Sequence, residues 1–486
     1  MSTTISHLEP TSIWSHFDQL RQIPRPSKNE AAVRDHIKAW AVKRGFESVE
    51  DAAGNLCVRV PGSPGHENAR IVIMQGHLDM VPEKNKTSNH DFDKDPIEVI
   101  IDGDWVVAPD TTLGADNGIG VAAAMASADD PACVHGPLEL LFTIDEETGL
   151  TGATELDGSI LKGRTLLNLD SEEDGTLFVG CAGGTTTEIK RDMPRAAAPA
   201  GWAALRIDVV GLRGGHSGLN IHENRGNSIK ILARLLNRWM EKTDLRIDSF
   251  DGGNKHNAIP REAVAVVVVP AAFADGAVEF AAAEYKKILT EYESIDPGLA
   301  IHVTRLDVVP VAPGTEPAAR ALVTLLIGLP HGVLAMSRDI QGLTETSTNV
   351  AIIRTEGEAA YITTSSRSSV AIALRGALDQ ANAVIRMAGA RFEEVGAYPA
   401  WQPNMKSPLL NTCKQVFTKL YGGTPKVTAI HAGLECGIIA DKVDGDVDII
   451  SYGPQLEGVH APGEKVCISS VARFWEFHKQ VLAQLA

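Results

Sequence analysis

Short apolar runs alternate with helix-like stretches near the beginning of the chain, and this alternation restricts the fold more than any other feature. A helical pattern over residues 30–46 precedes the first of four strand-like runs. The runs lie at residues 55–60, 70–75, 138–144 and 165–169, and a small-residue helix is expected at 117–128. Apolar strands that alternate with helices are typical of a parallel sheet covered on both faces. The sequence therefore predicts an α/β fold with a largely parallel central sheet covered by helices.

The pattern changes in the middle of the chain. A stretch rich in Pro and Ala at residues 190–202 has the composition of a linker, and strands and amphipathic helices of another pattern follow it. The first pattern returns near Tyr398. A chain of 486 residues is too long for one ordinary core. We predict one domain from residues 1–187 and 398–486, interrupted by an inserted α+β domain at 188–397.

Composition excludes several classes of partner. The net charge of −17 disfavours nucleic acid and anionic membranes, because both require a basic surface. No apolar run approaches the roughly 20 residues that span a bilayer, and no secretory signal pattern is visible at the N-terminus. The six cysteines are scattered without a C-x-x-C pair, which is typical of reduced thiols. We expect a cytoplasmic protein with no nucleic-acid or membrane partner.

Residues that commonly bind metals follow the predicted strands at the points where the strands end, except Asp116, which precedes the small-residue helix. They are His77, Asp79, Asp116, Asp145, Glu146, Glu147, Asp170 and His460. In open parallel sheets, ligands bind outside the carboxyl ends of the strands. Each of these residues alone is more often an ordinary loop residue. Together, two imidazoles and several carboxylates at one edge would repel one another unless cations were present, so the pattern predicts a metal site.

The number of candidate ligands indicates two ions. Two histidines and three carboxylates suit Zn²⁺, with Mn²⁺ or Co²⁺ as possible substitutes. Five ligands are too many for one tetrahedral catalytic zinc, but they suit two metals roughly 3.5–4 Å apart that share a carboxylate. Asp79 is then expected to orient His77. Of the adjacent Glu146 and Glu147, one can bind metal and the other can accept a proton, although such a pair alone is often an ordinary acidic loop.

Several longer blocks support this interpretation. "HLDMVPEKN", "TTLGADNGIG", "LNLDSEEDG", "GLRGGHSG" and "IHAGLECGII" resemble the co-catalytic zinc peptidase and deacetylase family, and its dipeptidases in particular. The resemblance extends over essentially the whole chain. It implies a two-metal catalytic domain interrupted by a smaller lid domain, through which a homodimer commonly forms.

The resemblance also implies a role for each candidate residue. Asp116 would bridge the metals, with His77 and Asp170 holding one ion and Glu147 and His460 the other. Glu146 would be the general base, and Asp79 would orient His77.

In the inserted domain, His216 lies in a glycine-rich turn and alone would be a solvated loop residue, but the resemblance implies that it stabilises an oxyanion. The resemblance further implies that Asn257 and Arg367 contact substrate, Arg367 at its carboxylate end. Glu435 would contact the free amino end of a dipeptide.

The predicted function is hydrolysis of dipeptides of the Xaa-His type, including β-alanyl-histidine, by metal-activated water with a glutamate base. An N-acyl amino acid deacylase is the alternative within the same family. A metal-binding protein without catalysis would be expected to lack the base or a ligand, and this sequence has both. A dinucleotide-dependent dehydrogenase is disfavoured because no G-x-G-x-x-G follows the first strand with an acidic residue about twenty positions later.

Overall fold

The computed structural model describes residues 3–486, which contain helices and strands in nearly equal measure. Their α-helices are α1 Thr11–Leu20, α2 Ala31–Arg44, α3 Ala115–Asp129, α4 Glu146–Gly149, α5 Thr151–Glu155, α6 Ser228–Met240, α7 Ala271–Ala274, α8 Ala277–Tyr292, α9 Glu316–Gly328, α10 Ala371–Met387, α11 Pro408–Tyr421, α12 Glu435–Lys442 and α13 Ile468–Leu485. Their strands are β1 Glu47–Glu50, β2 Leu56–Val60, β3 Val72–His77, β4 Ile100–Asp102, β5 Trp105–Val107, β6 Leu138–Thr143, β7 Thr165–Asn168, β8 Thr176–Cys181, β9 Gly183–Asp192, β10 Trp202–Val210, β11 Gly215–His216, β12 Arg246–Gly252, β13 Ala258–Ile259, β14 Ala263–Pro270, β15 Ala300–Leu306, β16 Gly332–Met336, β17 Thr344–Glu356, β18 Ala359–Ser368, β19 Arg391–Tyr398, β20 Lys426–Ile430, β21 Asp448–Ser451, β22 Leu456–Glu457 and β23 Lys465–Cys467.

The chain forms two compact units. The first unit comprises the chain up to Gly180 together with Pro403–Ala429 and Leu434–Ala486, and the second comprises Cys181–Gln402 and Ile430–Gly433. The sequence placed the first change of domain at residue 188, which lies inside β9. Strand β9 is hydrogen-bonded to β18 and β19 of the second unit, so the change falls before this strand. The Pro- and Ala-rich stretch is therefore a connection within the second unit.

The first unit is built on an eight-stranded sheet in the order β1-β2-β6-β3-β7-β21-β8-β20. The four central strands, β6, β3, β7 and β21, pair in parallel, while β1 pairs antiparallel with β2, β2 with β6, and β8 with β21. Every residue of β3 and β6 is buried, as expected for strands covered on both faces. The predicted α/β class with a largely parallel central sheet is confirmed.

Helix α3 packs against β3 and α1. Its sequence, ADNGIGVAAAMASAD, is almost entirely small, and this allows a close approach to the sheet. At Gly120, for example, an added Cβ would lie 2.4 Å from the carbonyl oxygen of Leu169. The small-residue pattern thus brings the beginning of α3 close to the ends of the central strands.

The second unit is built on a nine-stranded sheet. Its order is β15-β10-β14-β12-β17-β18-β9-β19, with β16 paired to β17, and its pairings are antiparallel. Helix α6 packs on β10 and α9, and its buried face includes Ile229, Leu232, Leu236 and Trp239. An antiparallel sheet covered by amphipathic helices is the α+β architecture that the sequence predicted for this segment.

No helix within residues 3–486 has both the length and the apolar composition that a membrane span requires.

The packing of α6 generates a stability prediction. Trp239 is fully buried in the core of the second unit, so Trp239→Ala should lower the free energy of unfolding by about 3–5 kcal/mol. The neighbouring Arg238 is exposed, and Arg238→Ala should change the free energy of unfolding by about 0.5 kcal/mol or less. Urea unfolding followed by circular dichroism measures both values. Equal effects of the two substitutions would contradict this packing.

Candidate functional site

Parallel pairing delivers the candidate ligands to one edge of the first unit's sheet. His77 is the last residue of β3, and Asp170 lies two residues beyond the end of the neighbouring strand β7. Glu146 and Glu147 follow β6, which is the other parallel neighbour of β3. Because the carboxyl ends of parallel strands lie at the same edge, these side chains converge, as does Asp116 at the beginning of α3.

The first group of ligand atoms surrounds one nitrogen of His77. Its Nε2 lies 3.0 Å from Oδ1 of Asp116 and 3.2 Å from Oδ1 of Asp170. The ring nitrogen can donate only one proton, yet two carboxylates face it. Oδ1 of Asp170 is buried and makes no hydrogen bond within the described part of the chain. A buried acceptor without a donor is costly, and a cation at this position would satisfy it.

The second group surrounds Nε2 of His460. This atom lies 3.2 Å from Oδ2 of Asp116 and 2.9 Å from Oε2 of Glu147. Asp116 therefore directs one carboxylate oxygen toward each histidine. In each group the ligand atoms lie within 4.8 Å of one another, which is compatible with coordination of one ion. The structure thus brings together the five residues that the sequence singled out as ligands.

Charged groups are concentrated in this site, and they shift one another's pKa values. Burial would lower the pKa of His77, but Asp170, Asp116 and Asp79 raise it well above the usual value. Hydrogen bonds to Asp116 and Glu147 raise the pKa of His460 to about 11. Burial raises the pKa of Asp170 to about 7, against the attraction of His77. Imidazole nitrogens and carboxylate oxygens in such an anionic cluster fit divalent ions such as Zn²⁺.

Asp79 connects His77 with the segment that carries the two glutamates. Nδ1 of His77 lies 3.2 Å from the backbone oxygen of Asp79 and 3.4 Å from its Oδ1. The Asp79 carboxylate also accepts hydrogen bonds from the backbone N–H groups of Glu146, at 3.0 Å, and Glu147, at 3.2 Å. Although burial opposes ionisation, these donors and His77 hold the pKa of Asp79 at about 2. Asp79 is thus a fixed negative charge that contacts both His77 and the backbone of the two glutamates.

Glu146 lies beside the first group of ligands. One of its carboxylate oxygens is within 4.8 Å of the ligand atoms of His77 and Glu147. Burial raises its pKa well above the usual value, and the negative charges of Asp170, Glu435 and Glu147 add to this effect against the attraction of His77. A carboxylate with a raised pKa has the proton affinity that a general base needs near neutral pH.

Glu435, the first residue of α12, is fully buried in the same unit. Its Oε2 accepts hydrogen bonds from Nε2 of Gln75, at 2.5 Å, and Oγ1 of Thr143, at 2.8 Å. Its Oε1 has no hydrogen-bond partner among residues 3–486. Burial raises the pKa of Glu435 to about 8. One oxygen is therefore held by the sheet, while the other is left without a donor.

The candidate residues of the second unit also gather in one place. His216 in β11 pairs with Ala258 in β13, which puts Asn257 next to the glycine-rich turn, and Ser217 N–H donates to the Asn257 carbonyl oxygen. Nδ1 of His216 accepts from the backbone N–H groups of Gly218 and Leu219, so the proton of the neutral ring is on Nε2. Burial and the nearby charge of Arg367 lower the pKa of His216 to about 4.

The structure adds residues that sequence reasoning missed. Arg367 donates to the Tyr398 hydroxyl at 2.5 Å, and His431 lies 2.7 Å from Oγ of Ser347, all within the second unit. In the first unit, the buried side chains of Arg25 and Glu464 hydrogen-bond to the backbone around the candidate metal ligands. The only signal for Glu464 was its place four residues after His460, and nothing in the sequence indicated Arg25.

Comparisons with known proteins agree with this fold. The model of peptidase family M20/M25/M40 matches residues 73–484. The chain is 39% identical over 485 residues to the cytosol non-specific dipeptidase of Escherichia coli (strain K12), covering 99% of both chains. The structure of aminoacylhistidine dipeptidase from Vibrio alginolyticus superposes with a TM-score of 0.92 and 38% identity, over 99% of this chain and 98% of that one. Aminopeptidase PepT from Bacillus cereus, 16% identical with a TM-score of 0.57 and coverage of 98% and 99%, shares the fold.

A two-unit fold with histidines and carboxylates converging at the carboxyl ends of parallel strands defines a metal-dependent peptidase. The chain belongs to peptidase family M20/M25/M40. The family that the sequence blocks predicted is thereby confirmed.

The raised pKa values of the histidines generate a prediction about metal binding. His77 and His460 carry protons near neutral pH and must lose them to bind an ion, so Zn²⁺ binding to metal-depleted protein should release protons and strengthen as pH rises. Calorimetric titrations in buffers of different ionisation enthalpy count the protons. The His460→Ala variant should release fewer protons than the wild type when Zn²⁺ binds. Affinity that does not change with pH would contradict the assigned protonation.

Proposed function

We propose that this chain is a dipeptidase that hydrolyses dipeptides of the Xaa-His type, including β-alanyl-histidine, with the help of two divalent metal ions. The observation that carries the proposal is the Asp116 carboxylate, with one oxygen toward His77 and the other toward His460, and with Glu146 alongside. The names of the two full-length relatives support a dipeptide as substrate. The name of the Escherichia coli relative also supports the expected cytoplasmic location.

The ligand groups suggest how two ions are held. His77 and Asp170 would hold one ion, Glu147 and His460 the other, and Asp116 both. Zn²⁺ suits this set of nitrogen and oxygen donors, and Mn²⁺ or Co²⁺ could replace it. When bound, two such ions lower the pKa of water and polarise a peptide carbonyl.

Glu146 then handles the proton of the reaction. It takes a proton from the attacking water as the new C–O bond forms, and it delivers that proton to the leaving amine as the C–N bond breaks. The raised pKa of Glu146 allows it to hold the proton between these steps. Asp79 keeps His77 and the Glu146 backbone in fixed positions while this happens.

Three residues of the second unit, and Glu435 of the first, carry groups suited to parts of a dipeptide. Neutral His216 carries its proton on Nε2, and this N–H can stabilise an oxyanion without adding a charge of its own. The Arg367 guanidinium suits the carboxylate end of a dipeptide, and Asn257 offers amide donors and acceptors. The unpaired oxygen of Glu435 suits a free amino group. A homodimer through the second unit stays a prediction.

The role of Glu146 can be tested directly. Glu146→Gln keeps the size of the side chain but removes the proton acceptor, so kcat for β-alanyl-histidine should fall by about 10²–10⁴-fold. Metal content, measured by mass spectrometry of the purified protein, should stay unchanged. Glu155 is exposed at the end of α5, and Glu155→Gln should retain full activity. Full turnover by Glu146→Gln would eliminate it as the base.

Substrate choice separates the dipeptidase from the deacylase. β-Alanyl-histidine and N-acetyl-histidine share the same leaving group but differ in the free amino group. A site that binds the ammonium should prefer β-alanyl-histidine by at least about 100-fold in kcat/KM. Chromatographic assay of released histidine measures both rates. Preference for N-acetyl-histidine would favour the deacylase instead.

A further inference from the structure

The carboxylate of Glu464 collects four consecutive backbone N–H groups in the first unit. Glu464 is 2% exposed. Its Oε2 accepts from Leu113 at 2.6 Å and Gly114 at 3.0 Å, and its Oε1 accepts from Ala115 at 2.9 Å and Asp116 at 3.3 Å. All donors of this segment are therefore directed at one side chain. A carboxylate that binds several backbone N–H groups is a strong and geometrically specific anchor.

These donors belong to the segment that places Asp116. Asp116 has non-helical backbone angles, φ −79° and ψ 109°, although it lies in the first turn of α3. The N–H groups at the beginning of a helix have no partners within the helix, and a negative charge there is favoured by the helix dipole. Glu464 satisfies these groups, and its four hydrogen bonds fix the backbone from which the Asp116 carboxylate projects.

The same loop also carries His460, four residues earlier. This loop is hydrogen-bonded to the segment before α3, because Gly463 N–H donates to the carbonyl oxygens of Ala108 and Thr111, and Ala108 N–H donates to that of Glu464. A displacement of Glu464 would therefore move Asp116 and His460 together. These two residues face each other across 3.2 Å in the second ligand group.

Arg25 makes the corresponding connection on the other side of Asp116. Its buried guanidinium donates to the backbone oxygens of Leu78, at 2.8 Å, and Asp79, at 2.9 Å, and also to that of Gly114. Gly114 has φ +69°, and a Cβ there would lie 2.7 Å from Nη2 of Arg25. Arg25 thus ties the residues that follow His77 to the segment that Glu464 holds.

We propose that Glu464 is a positioning residue that sets the spacing of the two ligand groups, with Arg25 as its counterpart toward His77. Neither side chain needs to touch an ion or the substrate, since both act through the backbone of Asp116 and its neighbours. The consequence for catalysis rests on the proposed function, but the consequence for metal spacing does not. Losses of metal affinity of about 10–100-fold are typical when such supporting contacts are removed.

The test compares Glu464→Gln and Glu464→Asp with a matched control. Glutamine keeps the length of the side chain but turns an amide NH₂ toward two of the four donors, while aspartate keeps both oxygens on a shorter chain. Glu139 is the control, because it is equally buried and accepts backbone N–H bonds from Lys162 and Gly163 near the opposite end of β6. Glu139→Gln should lower the melting temperature but leave the metal site intact.

Mn²⁺ is the probe for the full-length, metal-depleted proteins. Wild type and Glu139→Gln should bind two Mn²⁺ ions and show the electron paramagnetic resonance spectrum of an exchange-coupled pair. Glu464→Gln should bind Mn²⁺ about 10–100-fold more weakly at one site and lose the coupled spectrum. Glu464→Asp should recover part of the Mn²⁺ affinity and part of the coupled spectrum. If Glu464→Gln does not fold, Glu464→Asp takes its place in the comparison.

The results decide whether Glu464 only stabilises the fold or also positions the two ligand groups. If the Glu464 variants only lose melting temperature, as Glu139→Gln does, and keep wild-type Mn²⁺ affinity and coupling, the positioning role is refuted. If wild-type protein binds a coupled Mn²⁺ pair but hydrolyses no dipeptide, the proposed function fails. The role of Glu464 is then still decided by the Mn²⁺ affinity and coupling of its variants.

Discussion

The Asp116 carboxylate, shared between two imidazoles, is the interaction on which the rest of the site depends. Its two oxygens face Nε2 of His77 and Nε2 of His460, and Asp170 and Glu147 complete the two groups. Several carboxylates this close repel one another, and the histidine protons offset only part of that repulsion. The surrounding structure therefore holds these groups in place with contacts that do not depend on any ion, such as those of Asp79, Arg25 and Glu464.

Beneath the candidate ligands, side chains on neighbouring strands hydrogen-bond to one another. Gln75 and His77 point to the same face of β3, and the Gln75 side chain accepts from Nδ2 of Asn168 on β7 while donating to Glu435. The Asn168 Oδ1 accepts from the backbone N–H of Asp170. Amide side chains thus connect the strands that deliver His77 and Asp170, so that the sheet itself limits how far these two residues can separate.

The sequence predicted those elements and candidate site residues that follow from local periodicity and from position at a strand end. Helix α3 and strand β6 lie within two residues of the predicted 117–128 and 138–144, and the candidate ligands converge because parallel strands bring their carboxyl ends together. Strands such as β15 and β19 were missed because none of their residues is fully buried and they carry mixed polar residues, which hides the alternation. The partners of Glu464 and Arg25 are backbone groups, which every residue offers, so no pattern of side chains could indicate them.

The strand order of the first unit has a consequence for synthesis on the ribosome. Strand β21 lies between β7 and β8, yet the whole of the second unit's long segment is translated before it. A nascent chain that has just completed the second unit already carries His77, Asp116 and Asp170, but its sheet still lacks an interior strand, and His460 has not yet been made. Such a chain contains only one of the two candidate ligand groups, so full loading of the proposed two-ion site must wait until translation is almost finished.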